Sequence, residues 1–123
     1  ISVSADGRST ESRGFTLEQV VLWDPDILIV TAPKDVAHVN THPVFKQLKA
    51  VRSRRVLVVP VGAHTWSNRT AEQPLTVLWA ASVFHPVRMR AIDLAAETHA
   101  FYRDIFGHAL TDAQVGEILG ATM

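Results

Sequence analysis

The chain has 123 residues, 47% of them hydrophobic, which suits one domain with an ordinary buried core and is too apolar for a disordered segment. Twelve Lys and Arg balance twelve Asp and Glu, so the overall charge supplies none of the positive field that nucleic acid or an anionic membrane surface calls for. The absence of cysteine excludes disulfides, thiolate metal sites and a cysteine nucleophile, and fits the cytosol and the periplasm equally well.

Ile1 to Gly14 is rich in Ser, Gly, Arg and Asp and reads as a loop or trimmed end, with the folded part expected over 15–123. Thr16 and Gln19 fit a capping box and Phe15 a hydrophobic staple on Val20, so a short helix is expected to about Trp23. Asp24-Pro25-Asp26 breaks it. Ile27-Leu28-Ile29-Val30 is an unbroken apolar run, the pattern of a strand covered on both faces in the middle of a sheet. From Pro33 to Arg54 the pattern is helical and mixed, with Val36 and Val39 followed by Val44, Phe45 and Leu48. A second strand follows at Arg55 to Val59 and stops at Pro60, which makes a right-handed βαβ crossover.

The loop Val61-Gly62-Ala63-His64-Thr65 leads from that strand's carboxyl end into Trp66-Ser67-Asn68-Arg69-Thr70-Ala71-Glu72-Gln73-Pro74-Leu75. Pro74 suits a first helical turn, and Leu75, Leu78, Trp79 and Val83 repeat at helical spacing until Pro86. A further helix is expected to carry Leu94, Phe101 and Ile105 on one face and to end near Gly107. Thr111 with Gln114 forms another capping box, and Val115, Ile118 and Leu119 stripe a last helix closed by Gly120. Two strands among several helices are too few for a complete sheet, which implies that further strands come from outside this sequence. No run reaches the ~18 apolar residues of a membrane span, and the opening residues lack the basic and apolar regions of a signal peptide.

Open α/β sheets bind ligands beyond the carboxyl ends of their strands, which makes the Trp66 to Leu75 run the first candidate site. A catalytic reading finds little support: the sequence has no G-x-S-x-G elbow, no phosphate-cradling glycine loop and no H-E-x-x-H. Asp24 and Asp26 flank Pro25 at the amino end of the strand, where turn formation explains them. His38 and His42 share a spacing that suits zinc or copper, but Pro43 ends the helix and no third ligand is identifiable, so no metal site is assigned and His42 is read as a cap. His85, His99 and His108 are scattered on later helices and read as packed or solvated.

Several segments carry a resemblance together: Phe15-Thr16-Leu17-Glu18-Gln19, Asp24 to Val30, His42-Pro43-Val44-Phe45-Lys46-Gln47-Leu48-Lys49-Ala50-Val51, Arg55 to Pro60, Asn68 to Trp79, His85-Pro86, Ile92-Asp93-Leu94, Phe101 to Gly107 and Leu110-Thr111-Asp112. In this order and spacing, from about Gly14 to Gly120, they resemble the carboxyl-terminal lobe of the class III periplasmic binding proteins that serve ABC importers of ferric siderophores, haem and cobalamin. The resemblance implies an α/β, three-layer lobe with a small, mainly parallel sheet flanked by helices, one half of a bilobal protein whose ligand lies between two lobes joined by a long helix. The amino-terminal lobe, the linking helix and the first strand of the second lobe would then be missing partners. Three positions depart from the pattern: Ser53-Arg54 stands where glycine commonly precedes the second strand, Phe45 where tryptophan is usual, and Thr76 where glycine often follows the Pro-Leu pair.

A ferric siderophore is large, often anionic and flat-faced, so its site needs guanidinium groups for charge and aromatic planes for stacking. Trp66 and Arg69 supply one of each, with His64 and Asn68 as further ligand contacts. The bland alternatives are a lid over the sheet edge for Trp66 and a salt bridge to Glu72 or the following helix for Arg69. The resemblance gives Glu72 a role in docking to permease arginines, against a plain macrodipole role at its helix start. The expected function is the non-enzymatic capture of a ferric siderophore or similar iron chelate and its delivery to an ABC permease in the inner membrane. Haem or cobalamin binding within the family, and an α/β enzyme domain of unidentified chemistry, are the alternatives. No intrinsic cofactor and no nucleic-acid partner are expected, and the location implied is the periplasm or an extracytoplasmic lipoprotein.

Overall fold

The computed structural model describes residues 14–120, so the expected opening loop lies outside it up to residue 13. Helix α1 (Leu17–Trp23) starts on the anticipated capping box: the Gln19 amide donates to Thr16 Oγ1 at 3.3 Å and the Thr16 amide donates to Gln19 Oε1 at 2.9 Å. Val20 faces the core, while Phe15 sets its ring edge on Trp23 with centroids 5.7 Å apart. The helix ends at Asp24, which takes a left-handed φ of 37° as its amide donates to the Val20 carbonyl. Its carboxylate accepts from the Lys49 amide at 2.8 Å, so this turn residue also holds the start of α3 (Lys49–Arg52).

Strand β1 (Leu28–Val30) pairs in parallel with β2 (Val56–Val58), in the register Leu28 to Val56 and Val30 to Val58. Parallel strands need a long crossover. Here it consists of α2 (Pro33–Thr41), a 3-10 turn over Phe45–Gln47, and α3, with α2 packed against both strands. The expectation that β1 lies mid-sheet and covered on both faces is not met among the described residues. It pairs with β2 alone, and Ile29 is 43% exposed, because two strands leave one edge and part of one face without a neighbour. Just before β2, Arg54 adopts φ 57°, the left-handed conformation that glycine takes at no steric cost. The departure from glycine noted at Ser53-Arg54 therefore falls on a residue under local strain.

Helix α4 (Gln73–Phe84) has Pro74 in its first turn and buries Leu75 and Trp79. Beyond α5 (Pro86–Met89), α6 (Leu94–Phe106) is capped by the Asp93 carboxylate, which accepts from the Ala96 amide at 3.1 Å, and is closed by Gly107 at φ 64°. The Thr111–Gln114 box opens α7 (Asp112–Gly120), which buries Val115, Ile118 and Leu119. Leu94 and Phe101 pack against the core as expected, on the face that also buries Thr98 and Tyr102, while Ile105 on the same face in the last turn is 62% exposed. Val59, Trp66, Leu75, Trp79 and Tyr102 join the three buried residues of α7 in one cluster, and Arg55 ties β2 to the end of α4 through a 2.8 Å bond to the Val83 carbonyl.

Two substitutions test this account by chemical denaturation. Leu75→Ala removes a fully buried side chain and should cost about 2–5 kcal/mol. Arg54→Gly relieves the left-handed strain at some entropic cost and should stabilise by about 0.5–1 kcal/mol.

Candidate functional site

The segment between β2 and α4 leaves the sheet at the carboxyl end of β2 through buried Val59 and Pro60. It then folds back on itself. Val61 and Thr65 form an antiparallel bridge, the Gly62 amide donates to the His64 carbonyl at 3.0 Å, and the Trp66 amide donates to the Pro60 carbonyl at 3.0 Å. Thr76 Oγ1 donates to the Trp66 carbonyl at 2.9 Å, which fastens the far side of the loop to α4. Thr76 is the position where the resemblance led us to expect glycine, and its hydroxyl makes the departure useful.

Glu72 sits at the centre. It is 1% exposed, and its carboxylate accepts from Trp66 Nε1 at 3.0 Å, Tyr102 Oη at 2.5 Å, the Ala63 amide at 3.2 Å and the His64 amide at 2.9 Å. The first three donors share Oε1 and the last takes Oε2. A buried carboxylate is strongly unfavourable unless hydrogen-bond donors replace its water, and here four donors reach the two oxygens. The Ala63 amide also reaches Tyr102 Oη at 2.8 Å, so one loop amide bridges both side chains. Gly62 completes the arrangement: a Cβ there would run into Glu72 Oε1 and Tyr102 Oη, so the loop backbone passes closer to the carboxylate than any other residue allows.

This geometry sorts the anticipated site residues into two groups. His64, Asn68 and Arg69 are exposed on the loop at the carboxyl end of β2. Trp66 is 1% exposed, its indole committed to Glu72, so the expected stacking plane is not presented at the surface. The ring is a core residue beneath the loop, and the carboxylate of Glu72, the residue expected to dock to the permease, is buried and enclosed by four donors. Tyr102 and Gly62 were not singled out from the sequence. The available signal for Tyr102 was its phenol on an apolar helix, a group that finds a partner when buried.

The other candidates lie apart. His42 Nδ1 accepts from the Val44 amide at 3.3 Å, the capping role anticipated for it, and its ring packs on Phe45 with centroids 4.9 Å apart. Among the described residues no group of three or more His, Asp or Glu is placed to hold a metal ion. His99 Nε2 lies 3.0 Å from Asp112 Oδ1, joining α6 to α7. A shallow depression lined by Asp26, Lys49, Arg52, Ser53 and Arg55 lies by the amino ends of the strands, away from the loop.

No protein-family model matches the chain, and no curated protein matches it. Solved structures do. A periplasmic solute-binding protein from Veillonella parvula superposes with a TM-score of 0.76 at 24% identity, over 91% of this chain and 38% of that one. An ABC transporter solute-binding protein from Sulfurospirillum deleyianum gives 0.74 at 28% identity, over 85% and 33%. The molybdate-bound periplasmic binding protein MolA of Haemophilus influenzae gives 0.68 at 22%, over 80% and 31%. The chain thus spans about a third of the length of these proteins, which are transport components rather than enzymes. Its fold is that of an α/β lobe of a periplasmic binding protein.

Burial, and then the hydrogen bond to Glu72, push the Tyr102 hydroxyl up to about 12, against the Ala63 amide, which pulls it down. A raised acid loses its stabilising contribution as pH climbs, because the unfolded chain ionises first. Stability should therefore fall between pH 10 and about 12. Tyr102 is the single tyrosine of this chain, so tyrosinate absorbance reads its titration directly, and Tyr102→Phe should flatten the stability profile in that window.

Proposed function

We propose that this chain is the carboxyl-terminal lobe of a class III solute-binding protein of an ABC importer. In this reading it works outside the inner membrane, in the periplasm or as an extracytoplasmic lipoprotein, and pairs with an amino-terminal lobe across a cleft. It captures a ferric siderophore or similar iron chelate there and delivers it to the permease without chemical turnover. The observation that carries the reading is the loop at the carboxyl end of β2, which exposes His64, Asn68 and Arg69 at the edge where open α/β sheets take ligands.

The exposed residues suit an anionic chelate. Arg69 offers a guanidinium fork to carboxylate, catecholate or hydroxamate oxygens, Asn68 an amide that both donates and accepts, and His64 an imidazole that can donate to the ligand. With Trp66 in the core, the loop presents no indole plane, and its exposed side chains include the polar trio His64, Asn68 and Arg69 beside Val61. That favours an oxygen-rich anion over the flat apolar face of haem and makes cobalamin a weaker candidate. A compact oxyanion is the second reading, favoured by the same polar trio and by the molybdate bound to MolA.

A fluorescence titration of the intact protein with a ferric siderophore, haem, cobalamin and molybdate tests this. Saturable binding of the siderophore is expected, weakened by about 1–3 kcal/mol in Arg69→Ala, the range for a hydrogen bond to a charged group. Binding of molybdate alone selects the second reading. Binding of none of the four overturns the proposal.

A further inference from the structure

Glu72 and Tyr102 touch no surface a ligand can reach, yet between them they engage three points of the loop that carries His64, Asn68 and Arg69: the Ala63 amide, the His64 amide and the Trp66 indole. We propose that Glu72 and Tyr102 are positioning residues, a buried latch through which α6 sets the conformation of the β2–α4 loop and hence where its exposed side chains stand. The inference deepens the functional reading and depends on it only for the identity of the ligand.

Three features support a latch rather than ordinary packing. The bonds are directional and converge on one carboxylate from two segments distant in sequence, with Tyr102 lying 30 residues from Glu72. The loop amides of Ala63 and His64 are adjacent and donate to different oxygens of that carboxylate, which fixes the orientation of the peptide unit as well as its position. Gly62 lets the backbone approach so closely that no Cβ fits between it and the latch. Carboxylate chemistry is required as well as shape. A glutamine at 72 keeps one acceptor oxygen but turns the other position into a donor, so it faces either the His64 amide or the three donors on Oε1 with an N–H group.

The test is native-state amide hydrogen exchange on the intact protein, wild type and Tyr102→Phe, read at Ala63 and His64 and, as a reference for global opening, at Val115 and Leu119 of α7. The latch predicts that Tyr102→Phe speeds exchange at Ala63 and His64 about tenfold or more while the α7 amides change far less. The chelate that the wild type binds should lose about tenfold in affinity, although residue 102 does not contact it. Glu72→Gln should reproduce both effects, and Tyr102→Phe keeps the question open to test if that variant fails to fold. Equal acceleration at α7, or none at Ala63 and His64, overturns the proposal, as does faster loop exchange with unchanged affinity. A wild type that binds none of the four ligands removes the functional reading instead, and the exchange rates alone then decide the latch.

Discussion

The carboxylate of Glu72, buried and filled by four neutral donors, is the interaction on which the rest of this site depends. A group of this kind imposes its own requirements on the surrounding chain, because each donor left out strands a desolvated acceptor. It needs an indole at 66, a phenol reaching across from α6, two consecutive loop amides, and a glycine at 62 to let the backbone in. Trp66 and Tyr102 also belong to the apolar cluster of Val59, Leu75, Trp79 and the α7 residues, so the network is joined to the core on its inner side. Core and loop are therefore one unit.

That unity separates two roles which a ligand-binding loop has to combine. The side chains that hold the loop are inside, and those of His64, Asn68 and Arg69 are exposed. Preorganisation of this sort raises affinity by removing the ordering cost at the moment of binding. The one tryptophan of the segment is committed to the interior. The fold supplies the setting, since the loop leaves β2 at its carboxyl end and runs into α4, with Glu72 as the N-cap residue and Thr76 in the first turn bonded to the Trp66 carbonyl.

Much of the architecture was legible in the sequence because its signals are local. The capping boxes at Thr16 and Thr111, the stop at Gly107, the proline in the first turn of α4 and the two short apolar runs each depend on a few neighbouring residues, and all appear where expected. The placement of the candidate loop after β2 followed from the order of these elements. The roles within the loop did not, because Trp66 and a tyrosine 30 residues beyond Glu72 converge on the same oxygen of the Glu72 carboxylate. No local pattern distinguishes a tryptophan that stacks on a ligand from one that donates to a buried carboxylate. On α6 apolar periodicity placed Leu94 and Phe101 against the core, but it could not show that packing stops short of Ile105 in the last turn or that Tyr102 on the same face joins the polar network. The position of β1 in its sheet likewise depends on strands that local sequence cannot reveal.

The most direct test of this account is a crystal structure of the intact protein with its bound chelate. The account predicts the ligand against the β2–α4 loop, touching His64, Asn68 or Arg69, with Trp66 and Glu72 still enclosed behind them and the bond from Trp66 Nε1 to the carboxylate intact. A ligand seated elsewhere, or a Trp66 ring swung out to stack upon it with Glu72 exposed, would contradict the account.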